Sequence, residues 1–504
     1  MKEKFDILII GSGMGGLICA DILSREGYKV CVLEKNKQAG GSLQTYVRDR
    51  VIFDSGVHYL GGLGEGQNLY QVFKYLDLIG RLKLMKMDEE VFDKILIEND
   101  PKEYVYAQGY ENFIQHLLKD FPNQEKALRA YCDKIKEVCS KFPLYNLRSG
   151  GDVNEKTSVL GIDLQEFIES ITDDKKLQAV LIGNNMLYVL QGHKTPLYVH
   201  AMILNSYIES SWKCIDGGSN ITKYMVQNIR KHGGDLRRNT EVKRIVVEDG
   251  KVSSVELKDG SFIYADHFIS NMHPVRTMDM TETDIIKPAY RTRVKELENT
   301  ISSFIVNIVF KENAFPHTKH NYYYQKQAHI WHPAEHTEEN WPLAYSLFFA
   351  SSSKTQDYAE SMTILTYMRF DEVEQWSGTF NTVADEADRG KEYEDFKTRK
   401  AEKLIDLVEE KFPGIRDAIQ SYYTATPLSY RDYIGNDDGS MYGIAKDYRN
   451  PLKTFISPRT KIPNLYLTGQ NLNLHGVLGA TMSGLVTCVA FLGNEDIIEK
   501  IRNA

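Results

Sequence analysis

Residues 5–16 read FDILIIGSGMGG, an apolar run that ends in a glycine loop, and residues 28–34 read YKVCVLE, a second apolar run closed by an acid. Phe5 to Ile10 predicts a buried strand, and Met14 to about Arg25 predicts a helix whose amino end faces the loop. In Gly11-Ser12-Gly13-Met14-Gly15-Gly16, Gly11 permits the tight turn out of the strand and Gly13 lets backbone approach a pyrophosphate. Gly16 lets the helix pack on the sheet. Glu34, at the end of the predicted strand Tyr28 to Leu33, is placed to accept hydrogen bonds from an adenosine ribose. Strand, turn, helix, strand and terminal acid, in that order, predict a dinucleotide-binding βαβ unit and a Rossmann-like α/β fold.

The far end of the chain selects the dinucleotide. Residues 464–493 read NLYLTGQNLNLHGVLGATMSGLVTCVAFLG, which predicts a strand ending at Thr468-Gly469, a glycine-containing loop, and a helix from about Gly479. A membrane span is excluded, because the glycines and Asn471, Asn473 and His475 leave an apolar part too short to cross about 30 Å of hydrocarbon. FAD enzymes commonly bring both ends of the chain to one cofactor and NAD enzymes seldom do, so FAD is the expected cofactor.

At 504 residues, with 42% hydrophobic and 26% charged, the chain can bury a sizeable core in about two domains. A net charge of -8 argues against nucleic acid as a partner. The first strand begins by Phe5, which leaves no room for a signal peptide, so the expected location is cytoplasmic. Cys19, Cys31, Cys132, Cys139, Cys214 and Cys488 form no CxxC pair and read as reduced core residues.

Between the two ends the pattern is interleaved. A mostly helical section is expected from about 110 to 212, where Leu164, Phe167, Ile168 and Ile171 share one helical face. After Asp216-Gly217-Gly218-Ser219-Asn220 come a helix to Lys231 and short strands at Glu241 to Glu248, Val252 to Lys258 and Ser261 to Tyr264, joined by turns at Asp249-Gly250 and Asp259-Gly260. Phe268 to Asn271 reads as a separate strand rejoining the main sheet. A second excursion holds strand-like Ser303 to Phe310 and Met362 to Phe370 and a helix near Asp395 to Lys411. The expected organisation is a discontinuous FAD-binding domain (1–75, 213–275 and 441–504) with an α+β substrate domain (76–212 and 276–440) interleaved into it.

Four further segments, FDSGVHYLGG (53–62), HAMILNSYIESSWKCIDGGSN (200–220), TPLSYRDYIGNDDGSMYG (426–443) and LYLTGQNLNLHGVLGATMSG (465–484), complete a pattern spanning the whole chain. It resembles the phytoene-desaturase-like flavoproteins of the amine oxidase superfamily, nearest the retinol saturase (retinol 13,14-reductase) branch beside the carotenoid desaturases and isomerases. The resemblance implies a pyrophosphate loop at Gly11, Ser12, Gly13, Gly15 and Gly16, and ribose and adenosine contacts at Glu34 and Lys35. It implies backbone near the ribityl and phosphate groups at Gly40, Gly41 and Ser42, and an adenine contact from the backbone of Val242. Gly469 and Gln470 match the C-terminal flavin contact, and Val477, Leu478, Gly479 and Thr481 the segment facing the ring. Many relatives carry an acid where this chain has Gln470, and an amide still hydrogen-bonds a ribityl hydroxyl.

The implied reaction is hydride exchange between flavin and a C=C bond of a retinoid, carotenoid or similar apolar isoprenoid polyene, with one proton supplied or removed by the protein. A positioned acid is worth roughly 10² to 10⁴ in rate. His58 and Tyr59, in the loop that passes the flavin ring in relatives, are the leading candidates for it, with His200 and His475 next. Saturation is favoured by the branch alone; desaturation and cis-trans isomerisation stay open, as does a flavin-free prenyl-protein escort of the same architecture. Only one GxGxxG follows a strand, so NADPH or another electron donor is expected to dock transiently. Contact with a membrane surface is left open. The five histidines within 317–336 have permissive metal spacings, but Tyr322, Tyr323 and Tyr324 beside them read as a strand, and no metal is expected.

Overall fold

Strand Lys4–Ile10 is buried from Ile7 onward and sits in the middle of five parallel strands, in the order 235–237, 30–33, 4–10, 262–270 and 465–467. The computed structural model describes residues 4–150, 155–355, 357–383 and 387–504. A parallel sheet needs both faces covered. Helices Met14–Arg25, Ser219–Lys231 and Gly476–Leu492 help cover it, the first packing against both of the others. The chain therefore contributes to this sheet from its beginning, its middle and its end.

An antiparallel meander, Val242–Glu248, Lys251–Leu257 and Phe262–Ser270, extends the sheet. Asp249 and Gly250 both have positive φ, as the tight turn between the first two of these strands requires. The separate strands expected at Ser261–Tyr264 and Phe268–Asn271 are one strand, Phe262–Ser270. Its first residues pair antiparallel with 254–256, and Tyr264 to Ser270 pair parallel with the first strand. Asp266 and His267 interrupt the apolar pattern without ending the strand, because Asp266 is exposed and meets Lys4 at 2.5 Å.

A second, seven-stranded sheet runs in the order 419–425, 302–310, 361–368, 344–349, 321–325, 93–97 and 103–106. Its strand alternation is hidden in the sequence because both faces are buried. Ile305, Tyr323, Phe348, Leu365 and Tyr367 face a helical layer that includes Glu125–Ser140 and Leu197–Glu209. The residues between them, among them Phe304, Val306, Phe349 and Ile364, face helix Lys391–Lys411. That helix starts four residues before the expected Asp395, and the C-terminal helix starts at Gly476 rather than near Gly479.

All six cysteines are free thiols, five of them buried. Tyr322 to Tyr324 lie in strand Asn321–Gln325, and three neighbouring histidines have different partners: His320 meets Tyr322, His332 meets Glu335, and His336 meets Glu372. Among the described residues no helix is long and apolar enough to cross a membrane.

The contact between the first and last large helices depends on glycine. A Cβ on Gly484 would stand 2.6 Å from Ile18 Cγ2 and 3.2 Å from the carbonyl oxygen of Gly15. Gly484→Val is expected to cost about 1–3 kcal/mol by overpacking, read as a lower denaturant midpoint for the yellow holoprotein.

Candidate active site

Four chain segments converge at the carboxyl ends of the parallel strands, where α/β sheets bind ligands. They bring Gly11 to Gly15 after the first strand, Glu34 after the second, Asn271 after strand 262–270, and Gly469 after the last. All line one long cavity. Gly11 has φ +94°, which permits the turn, and a Cβ on Gly13 would lie 2.7 Å from the Asn271 amide. Cβ atoms on Gly15 and Gly469 would lie 2.9 and 2.5 Å from Asn271 Oδ1. Gly16 is not on the wall: its Cβ would strike the Gly11 carbonyl oxygen at 2.3 Å, so it serves the turn's packing.

The Glu34 carboxylate is fixed at the cavity edge. It accepts from the Ser12 backbone N–H at 3.1 Å, the Ser12 hydroxyl at 2.5 Å and the Asn36 N–H at 2.8 Å. The same Ser12 hydroxyl accepts from the Gly40 N–H at 3.0 Å, which ties the two glycine loops together. Gly40, Gly41, Ser42, Val242 and Gln470 line the same cavity. Lys35 does too, but its ammonium donates to the Asp432 carbonyl at 2.9 Å, and burial holds its pKa below the ordinary lysine value.

Beyond the cradle the wall becomes apolar and aromatic, with Tyr59, Tyr207, Phe348, Leu365, Tyr430 and Tyr442 among its residues. His58 stacks on Phe348 with ring centres 4.3 Å apart, and its Nε2 is buried without a partner. Burial, helped by Lys213, pushes its pKa down to about 4. Tyr59 is buried; its hydroxyl donates to Asp93 Oδ2 at 2.9 Å and lies 2.7 Å from the Tyr323 hydroxyl. Burial first, and then Asp93 and Tyr323, raises its pKa well above 10.

His475 lies on the wall directly before the C-terminal helix. Its ring stacks on Tyr442 at 4.1 Å and its Nε2 donates to the Leu187 carbonyl at 2.9 Å, which fixes the loop opposite. Burial pushes its pKa down to about 4. Val477, Leu478 and Gly479 line the cavity within the first turns of that helix.

Two sequence candidates lie elsewhere. His200 is fully buried behind the wall, its Nε2 2.7 Å from the Tyr131 hydroxyl, and burial pushes its pKa down to about 3. Tyr131 gives its own proton to the Leu181 carbonyl, so His200 is the donor in that pair and acts as a core residue. Its helix is buried nearly all round, and the sequence gives no clue to which side faces the cavity. Thr481 is fully buried and its hydroxyl donates to the Val477 carbonyl at 2.7 Å, within the helix and off the wall.

Sequence reasoning missed Asn271, around which the glycine loop is wrapped, and the buried Asp93 behind Tyr59, whose charge Lys213 influences. Asn271 was legible in principle as the residue at the carboxyl end of a strand parallel to the first. Asn471, beside Gln470, is structural: its Oδ1 accepts from the Ile444 N–H at 3.0 Å.

The cradle fits the diphosphate and ribose of FAD. Its close backbone leaves no room for side chains at Gly13, Gly15 and Gly469, and Glu34 presents a fixed acceptor beside it. The chain belongs to the flavin-containing amine oxidoreductase family, which it matches over residues 14–492. It is 27% identical to the all-trans-retinol 13,14-reductase of Rattus norvegicus, over 98% of this chain and 86% of that protein. It is 23% identical to the chloroplastic prolycopene isomerase of Daucus carota, over 96% and 79% of the two chains. Among solved structures, an oxidoreductase from Methanosarcina mazei shares the fold, with TM-score 0.63 and 16% identity over 98% of this chain and 100% of that one.

No cysteine lines the cavity among the described residues. Purified protein is expected to be yellow and to release unmodified FAD on denaturation. Gly13→Val should be colourless while keeping the wild-type far-UV circular dichroism, because a branched side chain beside Asn271 blocks the pyrophosphate approach.

Proposed function

We propose that this protein is an FAD-dependent oxidoreductase that saturates a carbon–carbon double bond of an apolar polyene of the retinoid or carotenoid class. The observation that carries the reading is one continuous cavity: dinucleotide cradle at one end, aromatic wall at the other, and the Tyr59 side chain on that wall. Similarity to retinol reductases and carotenoid isomerases over nearly the whole chain supports the substrate class. The intact cradle disfavours a flavin-free escort.

Reduced FAD supplies a hydride when bound. The residues of this chain do the rest. The aromatic wall excludes water and holds the polyene, whose burial at roughly 25 cal/mol per Å² favours any apolar chain of suitable length. The cavity-facing loop presents a proton donor, and we assign that role to Tyr59. His58 is neutral at pH 7, since its pKa is pushed down to about 4, and so carries no imidazolium proton to give. Desaturation would use the same contacts in reverse, and isomerisation would need no net electrons. The electron donor is a transiently docking NADPH or a small redox protein. The enzyme is cytoplasmic.

The test is anaerobic. Holoenzyme is reduced with dithionite and given a retinoid and carotenoid panel; products two hydrogens heavier, with stoichiometric flavin reoxidation, are expected. Products two hydrogens lighter from oxidised enzyme would reverse the direction, and unchanged mass with altered geometry would make it an isomerase. Tyr59→Phe should keep the flavin spectrum and lower turnover by roughly 10² to 10⁴. His58→Ala should lower it less.

A further inference from the structure

Behind Tyr59 lies a carboxyl group with no cation in ion-pair contact among the described residues. Asp93 is fully buried at the start of strand Asp93–Ile97. Asn321, its partner on the neighbouring strand, donates from Nδ2 to Asp93 Oδ1 at 2.9 Å. Asp93 Oδ2 is left facing the Tyr59 hydroxyl at 2.9 Å, and that hydroxyl lies 2.7 Å from the hydroxyl of Tyr323. An Asn would satisfy both neighbours as well, without the cost of a buried carboxyl.

We propose that Asp93 is the proton reservoir of this site: a positioning residue that recharges Tyr59 through their shared hydrogen bond each time Tyr59 gives its proton to the substrate carbon. The inference rests on the reading of Tyr59 as the donor. The hydride from reduced FAD forms one C–H bond. The second forms as the Tyr59 O–H bond breaks, and the Tyr59 O–H bond is remade as the O–H bond on Asp93 Oδ2 breaks. The carboxylate left on Asp93 takes a proton from solvent between turnovers. Both electrons come from the flavin, itself reduced by the external donor, dithionite in the test below.

The surroundings suit this role. Burial pushes the Asp93 pKa up to about 8, against the lowering effects of Asn321, Tyr59 and Lys213. Burial therefore favours the protonated form near neutral pH. Tyr59 donates to Oδ2 when the carboxyl is ionised; when it is protonated, the proton sits on Oδ2, the oxygen that Asn321 leaves free, and the same contact reverses to run from Asp93 to Tyr59. Tyr59 alone is a poor acid, since its pKa lies well above 10, and relay from Asp93 removes the need for a standing phenolate. The titratable groups around Asp93 are Tyr59, Tyr106, Tyr207, Tyr323 and Lys213. The four phenols stay neutral through this range. Lys213, only 1% exposed, donates from Nζ to the Phe349 carbonyl at 2.8 Å, and burial pushes its pKa down to about 7.

The experiment follows single turnover of dithionite-reduced holoenzyme with a polyene it saturates, from about pH 6 to about pH 10. The wild-type rate should be flat below about pH 8 and fall tenfold per unit above it, as Asp93 loses its proton. Asp93→Asn should lower the plateau by about 10²-fold or more and abolish that limb. Added to Tyr59→Phe, it should cost nothing further, since the relay is already cut. Lys213→Met removes a charge that favours the carboxylate and should move the limb to higher pH, which keeps the test alive if Asp93→Asn does not fold. Infrared difference spectra of the resting protein should show the carbonyl band of a protonated buried acid at pH 7, lost in Asp93→Asn and shifted in Tyr59→Phe. A limb unchanged in Asp93→Asn, additive losses in the double variant, or no such band would overturn the proposal. If wild type saturates no polyene, the functional reading fails, and the band still decides whether Asp93 holds its proton against Tyr59.

Discussion

The structure depends on how closely the backbones of three glycines approach one side chain. Asn271, from the middle of the chain, fills the space that Cβ atoms on Gly13 and Gly15 from the beginning and Gly469 from the end would otherwise occupy. No larger residue fits at any of the three glycines without moving Asn271 or the strand ends that carry it. The beginning, middle and end of the chain are thereby held to one sheet. Everything between has to leave that sheet and return, which is why the cap is built from two excursions. They still form one body: strand Asp93–Ile97 of the first pairs with Asn321–Gln325 of the second.

That shared cap sheet also sets the chemistry. Its inner face and the helical layer bury the side chains around the far half of the cavity, and burial disfavours charge on the titratable groups there. His58, His200 and His475 all have pKa values far below the ordinary imidazole value, and Asp93 one far above the ordinary carboxyl value. In such a place the histidines that draw attention in a sequence are neutral spacers and hydrogen-bond partners. The groups that we propose as proton carriers are a carboxylic acid and a phenol.

The cradle was legible in the sequence because its requirements are local: glycine where backbone must come close, an acid at a strand end, apolar residues between. The strand and helix of the C-terminal segment were legible for the same reason, although the strand ends at Leu467, just before the expected Thr468-Gly469, and the helix starts at Gly476, before the expected Gly479. The strand spanning 262–270 was misjudged because Asp266 and His267 break an apolar pattern that tertiary pairing sustains. The helix containing His200 is apolar all round, so periodicity could not tell its cavity side, Met202 and Ile203, from its core side. Asp93 was invisible for a different reason. Its significance lies in Tyr59 and Asn321, which are distant in sequence, and a single Asp at the start of an apolar strand reads as an edge.

The cavity's apolar wall cannot choose between adding and removing hydrogen, since it binds saturated and unsaturated chains by nearly the same buried area. The external electron partner sets the driving force, and the protein's own influence on direction is confined to the proton. On the proposed relay, saturation begins with Asp93 protonated and desaturation begins with it ionised. Burial raises the Asp93 pKa far above the ordinary carboxyl value, which favours the protonated form in the resting state. The balance tilts the other way only in alkaline solution. On the proposed relay, burial of this one carboxyl readies the site to give a proton, and the choice of direction rests with the electron partner.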